Sequence, residues 1–170
     1  MPMKGADTMS RRAMIASAIA AGSVPGLAFS KSHPLLTVVS SDHARQTYDE
    51  DALEALPWRD VVTHTVWTEG IQHFRGPLLR DILLQTGATA LDLAQRRLTL
   101  TALNDFVVDI PASDAFAFDA VLARTFNGQP MQVRDKGPLW LVYPRDRTPA
   151  LQTPEFDERW VWQLTLIEIK

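Results

Sequence analysis

Cysteine is absent from all 170 residues of the sequence. Its absence excludes disulfide bonds, zinc–thiolate sites, iron–sulfur clusters and a cysteine nucleophile. No thiolate is available as a ligand for any soft metal ion. The stability of the folded chain must therefore come from packing and from any ligand that it binds.

Excess positive charge and long apolar runs are also absent. The formal net charge is −3 at pH 7, which argues against a nucleic-acid-binding protein that works by neutralising phosphates. No uncharged apolar run approaches the roughly 18 residues of a membrane-spanning helix, so we expect no membrane insertion of the mature chain. The apolar share of 46% is nevertheless sufficient for one domain with a buried core.

Residues 1–30 have the layout of a bacterial export signal. A basic segment that ends in Arg11-Arg12 precedes an uncharged stretch, residues 13–28, rich in Ala, Gly and Ser. Small residues occupy positions −3 and −1 of a cut after residue 30. We therefore expect a signal peptide over residues 1–30 and one periplasmic domain over residues 31–170. The paired arginines fit the twin-arginine route, and the general secretory route fits equally well.

The remaining chain predicts a single compact α+β domain in which strands dominate. One helix is expected to start at the capping-box pair Thr47 and Glu50, and a second at Gly76-Pro77. Asn127-Gly128 is the strongest hairpin signal, flanked by strands over 120–126 and 131–133. Further strands are expected at 35–40, 61–68, 97–103, 106–110, 139–143 and 160–169.

Two loop segments carry residues suited to ligand binding. Asn104 and Asp105 join two predicted strands, and the two carboxylate oxygens of an aspartate match two adjacent N–H groups of a flat heterocycle. Arg134 and Lys136 precede Gly137-Pro138, where a permissive backbone could approach an anionic or carbonyl-bearing ligand. Each segment is also compatible with a simple surface turn.

Aromatic residues give a third pattern, because the chain has five tryptophans. Four lie on predicted strands, where some must serve the core, and a pair that flanks a pocket would give a stacking slot for a planar ring. The acidic clusters at 49–51 and 155–158 are interpreted as solvated faces.

Motifs of common enzymes are missing. There is no nucleophile elbow, phosphate-binding loop or dinucleotide fingerprint. The histidines show neither H-x-H nor H-x-x-x-H spacing, so their pattern does not favour a metal site; they are His33, His43, His64 and His73.

Five segments occur in an ordered series along the chain: Phe74-Arg75-Gly76-Pro77-Leu78, Asn104-Asp105-Phe106, Asn127-Gly128-Gln129-Pro130-Met131, Lys136-Gly137-Pro138-Leu139 and Trp160-Val161-Trp162. No single segment is specific, but the ordered set is. From about residue 58 to Lys170, the chain resembles the molybdopterin-binding domain family with the sulfite-oxidase fold. The resemblance implies that fold for the mature chain.

The departure from the family concerns its metal ligand. Enzymes of the family carry a cysteine that binds molybdenum, and its position falls near His64–Thr65, where this chain has none. Imidazole and hydroxyl groups are poor substitutes for a soft thiolate, so molybdenum is not expected here. The chain is similar to a cysteine-less, exported branch of periplasmic pterin-binding regulators, pseudoenzymes that act through cyclic-di-GMP signalling.

That resemblance implies a pterin ligand and a protein partner. Asp105 would pair with the aminopyrimidine edge, supplemented by Asn104, and Trp67 or Trp162 would stack on the ring. Arg134 or Lys136 would reach the carbonyl or the side-chain hydroxyls. The partner would be the periplasmic domain of a membrane-bound diguanylate cyclase or phosphodiesterase.

Two other functions remain open from the sequence. One is a molybdopterin-dependent oxidoreductase, or its cofactor-holding subunit, with a metal ligand other than cysteine. The other is a structural periplasmic adaptor, in which all the tryptophans serve the core or an interface.

Overall fold

The computed structural model describes residues 33–170, so the signal peptide expected at residues 1–30 lies outside the described part of the chain. The strands are β1 (Leu36–Val39), β2 (Arg45–Tyr48), β3 (Trp58–His64), β4 (Ile71–Pro77), β5 (Arg97–Ala102), β6 (Val107–Pro111), β7 (Val121–Ala123), β8 (Thr125–Phe126), β9 (Gln129–Pro130), β10 (Trp140–Val142), β11 (Val161–Trp162) and β12 (Leu164–Ile169). The helices are short: α1 (Glu50–Glu54), α2 (Leu79–Leu84), α3 (Ala90–Ala94), α4 (Asp114–Ala117) and α5 (Pro154–Asp157). Strands therefore dominate, as the sequence predicts.

The strands form three sheets. The largest has the order β2-β1-β12-β5-β6, and β1 and β12 are its parallel pair. A second sheet has the order β11-β10-β7, and the third has the order β3-β4-β8-β9; both are antiparallel throughout. The predicted pairing of β5 with β6 is confirmed, and so is the hairpin at Asn127-Gly128, which joins β8 to β9.

Alternating side chains explain why these segments are strands. In β5, Leu98, Leu100 and Ala102 are buried, while the residues between them face outward or are half-buried. This period of two residues is that of a sheet with one face on the core.

Two glycines permit close backbone approaches. A Cβ at Gly76 in β4 would lie 1.9 Å from the carbonyl oxygen of Leu122 in β7, so a side chain cannot be accommodated there. A Cβ at Gly137 would lie 2.5 Å from the carbonyl oxygen of Met131. Gly76 and Gly137 therefore serve packing between neighbouring parts of the backbone.

The predicted helix starts need correction. Thr47 lies in β2, and α1 is capped by Asp49, whose carboxylate accepts a hydrogen bond from the Ala52 N–H at 2.9 Å. Gly76-Pro77 ends β4 instead of opening a helix, and α2 begins at Leu79. The alternation of buried and exposed residues in β4 outweighs the preference of proline for the first helical turn.

Other predicted elements are shifted or were missed. The strand expected at 61–68 lies at β3 and ends at His64, and the strand expected at 131–133 is replaced by a loop and a 3₁₀ turn. Helix α3 was not predicted, although Thr89 and Asp92 form a capping box at its start.

The C-terminal segment is two strands instead of the one predicted over 160–169. Gln163 has a φ of 55°, a left-handed conformation that breaks the strand and sends β11 and β12 into different sheets. Its N–H donates to the carbonyl of Lys136 at 2.9 Å, and its carbonyl accepts from the N–H of Leu103 at 2.8 Å. Its side-chain amide donates to the carbonyl of Val133 at 2.7 Å.

We expect Gln163→Val to lower the free energy of unfolding by about 2 kcal/mol, because a β-branched residue is strained at positive φ and the hydrogen bond to Val133 is lost. Gln163→Gly also loses that hydrogen bond but relieves the backbone, so it should stay within about 1 kcal/mol of the unmodified protein. Urea denaturation followed by tryptophan fluorescence measures both changes. Equal losses in the two variants would contradict a constraint at this backbone position.

Candidate ligand pocket

A cavity of about 240 Å³ opens where the ends of several elements meet. It is smaller than the roughly 300–1,000 Å³ typical of pockets for drug-sized ligands and suits a compact ring system. Its walls come from the turn after β3, the joint between β5 and β6, the end of α5, and β11. The lining residues are Trp67, Asn104, Phe106, Asp157, Glu158, Trp160 and Trp162.

Three tryptophans form the apolar walls. The ring centroid of Trp67 lies 5.5 Å from those of Trp160 and Trp162, at interplanar angles of 52° and 80°. Because the rings are inclined to one another, a planar ligand would stack on one wall and meet the others at an angle. The cavity is therefore a corner lined by rings and not a parallel slot.

The walls continue into the core. Trp140 is 1% exposed; its ring lies 6.2 Å from Trp67 and 5.2 Å from Phe74, both in edge-on geometry. Residues that shape the cavity are thus packed against fully buried rings, which limits their movement.

The polar side of the cavity carries two neighbouring carboxylates. Asp157 is paired with Arg145, whose Nε lies 2.9 Å from Oδ1 and whose Nη2 lies 3.4 Å from Oδ2. The hydrogen bonds to Asp157 raise the pKa of Arg145, and the nearby negative charge adds to this. Glu158 is exposed, and in residues 33–170 its carboxylate has no hydrogen-bond or ion-pair partner.

A buried polar cluster anchors the chain next to Glu158. Asp114, which is 4% exposed, accepts hydrogen bonds from Arg159 Nη1 at 2.6 Å and from the hydroxyl of Tyr143 at 3.0 Å. Burial raises the pKa of Tyr143 well above its usual value, and the charge of Asp114 and its hydrogen bond act in the same direction. Burial alone would lower the pKa of Arg159, but the hydrogen bond and charge of Asp114 raise it.

Three of the six predicted site residues line the cavity: Trp67, Asn104 and Trp162. The side-chain oxygen of Asn104 accepts from the N–H of Phe106 at 3.3 Å. Its NH₂ group is therefore the part that can donate to a ligand.

The other three predicted residues lie outside the lining. Asp105 is exposed in the turn after Asn104, with a φ of 64°. The side chain of Arg134 is 81% exposed and forms an ion pair with Asp135 at 3.4 Å. Lys136 Nζ lies 4.7 Å from the ring centroid of Trp162, a cation–π contact, so Lys136 contacts a residue of the lining without being part of it. Their roles toward a ligand stay predictions.

Sequence reasoning missed four lining residues: Phe106, Asp157, Glu158 and Trp160. The acidic segment 155–158 was interpreted as a solvated face, but Asp157 pairs with Arg145, and the residue after the segment, Arg159, pairs with the buried Asp114. The one signal in the sequence for a place at the cavity was that the acidic segment lies next to Trp160-Val161-Trp162.

The residues at the position expected for the family's metal ligand, His64 and Thr65, form hydrogen bonds within the protein. His64 contacts Asp146 twice at 2.8 Å, through its backbone N–H and through its ring Nδ1. Burial would raise the pKa of Asp146, but these hydrogen bonds lower it. The hydroxyl of Thr65 lies 2.7 Å from that of Thr68 and accepts a hydrogen bond from the N–H of Trp67 at 3.0 Å.

These donors do not fit a thiolate-bound molybdenum. Both side chains are occupied by hydrogen bonds, and neither is a soft ligand. In the part of the chain that the structure describes, no three His, Asp or Glu side chains are grouped so that they could hold a metal ion. The helices of this part are likewise too short or too polar to cross a membrane.

These features define a compact, β-dominated α+β domain with a cavity walled by tryptophans. No protein-family model and no curated protein matches the chain. Among solved structures, the fold is similar to that of the sulfane dehydrogenase SoxCD from Paracoccus pantotrophus, with a TM-score of 0.57 and 16% sequence identity. The match covers 79% of this chain but 37% of that one, so the chain spans well under half of its structural neighbour. The likeness concerns the fold alone.

We expect Asp114→Asn to lower the free energy of unfolding by about 3 kcal/mol, because the substitution leaves the guanidinium of Arg159 largely buried without its charged partner. Glu155→Gln is the matched control: it removes a carboxylate that is 75% exposed and pairs with the same arginine. The control should change stability by less than about 0.5 kcal/mol. Urea denaturation at neutral pH compares the two, and equal effects would show that burial of the pair is unimportant.

Proposed function

We propose that the mature chain is a periplasmic, non-catalytic pterin-binding protein on a sulfite-oxidase-type fold. The observation that carries the proposal is the cavity with walls of Trp67, Trp160 and Trp162 and a polar side of Asn104 and Glu158. Flat aromatic walls with a few convergent polar groups are typical of sites for planar heterocycles. The residues at the expected metal position support binding without molybdenum chemistry.

A pterin satisfies both sides of such a cavity. Its bicyclic ring would stack on one indole and meet the edges of the others. Its amino and ring N–H groups are donors for a carboxylate, and its carbonyl is an acceptor for the NH₂ group of Asn104. The ligand would thus be oriented by its hydrogen-bonding edge and held by its faces.

Relay to a partner is the second part of the proposal. Exposed apolar side chains flank the cavity residues: Leu103 is 53% exposed and Phe106 is 47% exposed. Because Phe106 also lines the cavity, a bound pterin would change the surface that a partner meets. We propose the periplasmic domain of a membrane-bound cyclic-di-GMP enzyme as that partner, with export directed by residues 1–30.

We expect the purified mature chain to bind a pterin in a calorimetric titration with oxidised and tetrahydro forms. Trp67→Leu should weaken the binding about tenfold, because one stacking wall is lost. Trp58→Leu is the control: its indole N–H donates to the carbonyl of Leu53 at 2.7 Å, away from the cavity. No heat with either form, together with no small molecule in native mass spectrometry, would favour the structural adaptor instead.

A molybdopterin-dependent oxidoreductase, or a subunit that holds its cofactor, is the second candidate. Only the fold likeness to a sulfane dehydrogenase favours it. Elemental analysis of protein folded in its native host separates the two candidates. We expect no stoichiometric molybdenum, since the chain offers no thiolate ligand, and one molybdenum per chain would overturn the first proposal.

A further inference from the structure

The two carboxylates of the cavity differ in whether their oxygens remain free to accept hydrogen bonds from a ligand. Asp157 is bound by Arg145 through both of its oxygens, and the two side chains are only 16% and 19% exposed. Glu158 has no partner in the described chain. Both oxygens of Glu158, and its full negative charge, therefore remain available to a molecule in the cavity.

The backbone holds Glu158 at the cavity from both sides. Before it, Asp157 is fixed by Arg145; after it, Arg159 is fixed by the buried Asp114. Two ion pairs with low exposure therefore flank one free acidic residue. This arrangement keeps the free carboxylate at a cavity whose apolar walls are mainly indole rings.

The geometry points to Glu158 as the residue that selects the ligand, by binding the edge of the ligand that carries hydrogen-bond donors. Its two oxygens accept the exocyclic amino group and the adjacent ring N–H of an aminopyrimidine, a paired and charge-assisted contact. This inference rests on the proposed function and names the group that distinguishes pterins from related bicyclic rings. Asn104, whose oxygen is engaged by Phe106, contributes its NH₂ group to an acceptor on the same ligand.

The assignment excludes ring systems with an acceptor at the same place. Lumazine, a pteridine with a second carbonyl where pterin has its amino group, would put an oxygen against the carboxylate. An unpaired carboxylate facing a carbonyl is unfavourable, so the cavity should prefer pterin although both rings stack equally well on tryptophan.

The experiment is a calorimetric titration of pterin and of lumazine into four proteins at pH 7: the mature chain, Glu158→Gln, Asp105→Asn and Glu155→Gln. We expect the mature chain to prefer pterin by about 10- to 100-fold, the value of one or two charge-assisted hydrogen bonds. Glu158→Gln should lose most of that preference, chiefly through weaker pterin binding. Glu155→Gln changes another exposed carboxylate, three residues earlier in α5, and should keep the preference.

The outcomes distinguish a failure of the role of Glu158 from a failure of the proposed pterin binding. If the mature chain binds neither ring, the proposed function fails. If it prefers pterin and Glu158→Gln keeps that preference, the function stands and the role of Glu158 is overturned. A loss of preference in Asp105→Asn instead would also overturn it and assign the donor edge to Asp105. Circular dichroism of each variant confirms folding, which the exposure of Glu158 makes the expected result.

Discussion

The hydrogen bonds of Gln163 hold the pocket end of the molecule together. Its backbone links the carbonyl of Lys136 to the N–H of Leu103, and its side chain adds the carbonyl of Val133. Two segments distant in sequence, the 133–136 turn and the joint after β5, are thereby joined at one turn. The same left-handed turn separates β11, which carries Trp162 to the cavity, from β12 in the large sheet. The site therefore depends on a residue that does not line it.

The parts of the fold that follow from local patterns could be predicted from the sequence. The hairpin at Asn127-Gly128 and the pairing of β5 with β6 each rest on neighbouring residues and their alternation. The break at Gln163 could not be predicted, because glutamine carries no signal for a positive φ and the bonds that stabilise it come from remote loops. That β4 continues through Gly76-Pro77 could not be predicted for a related reason: the close approach of Gly76 to Leu122 is a tertiary contact.

The same division applies to the site. Trp67, Asn104 and Trp162 were predicted because aromatic residues on strands and an amide at a strand joint have recognisable chemistry. Asp157 and Glu158 were not, because a run of acidic residues before a strand is typical of a solvated surface. Their placement depends on arginines that are distant or buried, and such pairing has no local pattern in the sequence.

The hydrogen bond between the hydroxyl of Thr65 and the N–H of Trp67 has a wider consequence. Thr65 lies near the position where the resemblance to molybdopterin-binding domains would place a metal ligand, and here its hydroxyl supports the turn that carries Trp67, a wall of the cavity. One turn cannot serve both purposes with the same atom, since a sulfur committed to a metal would no longer accept that hydrogen bond. A cysteine placed here to bind a metal would therefore leave Trp67 in need of another support.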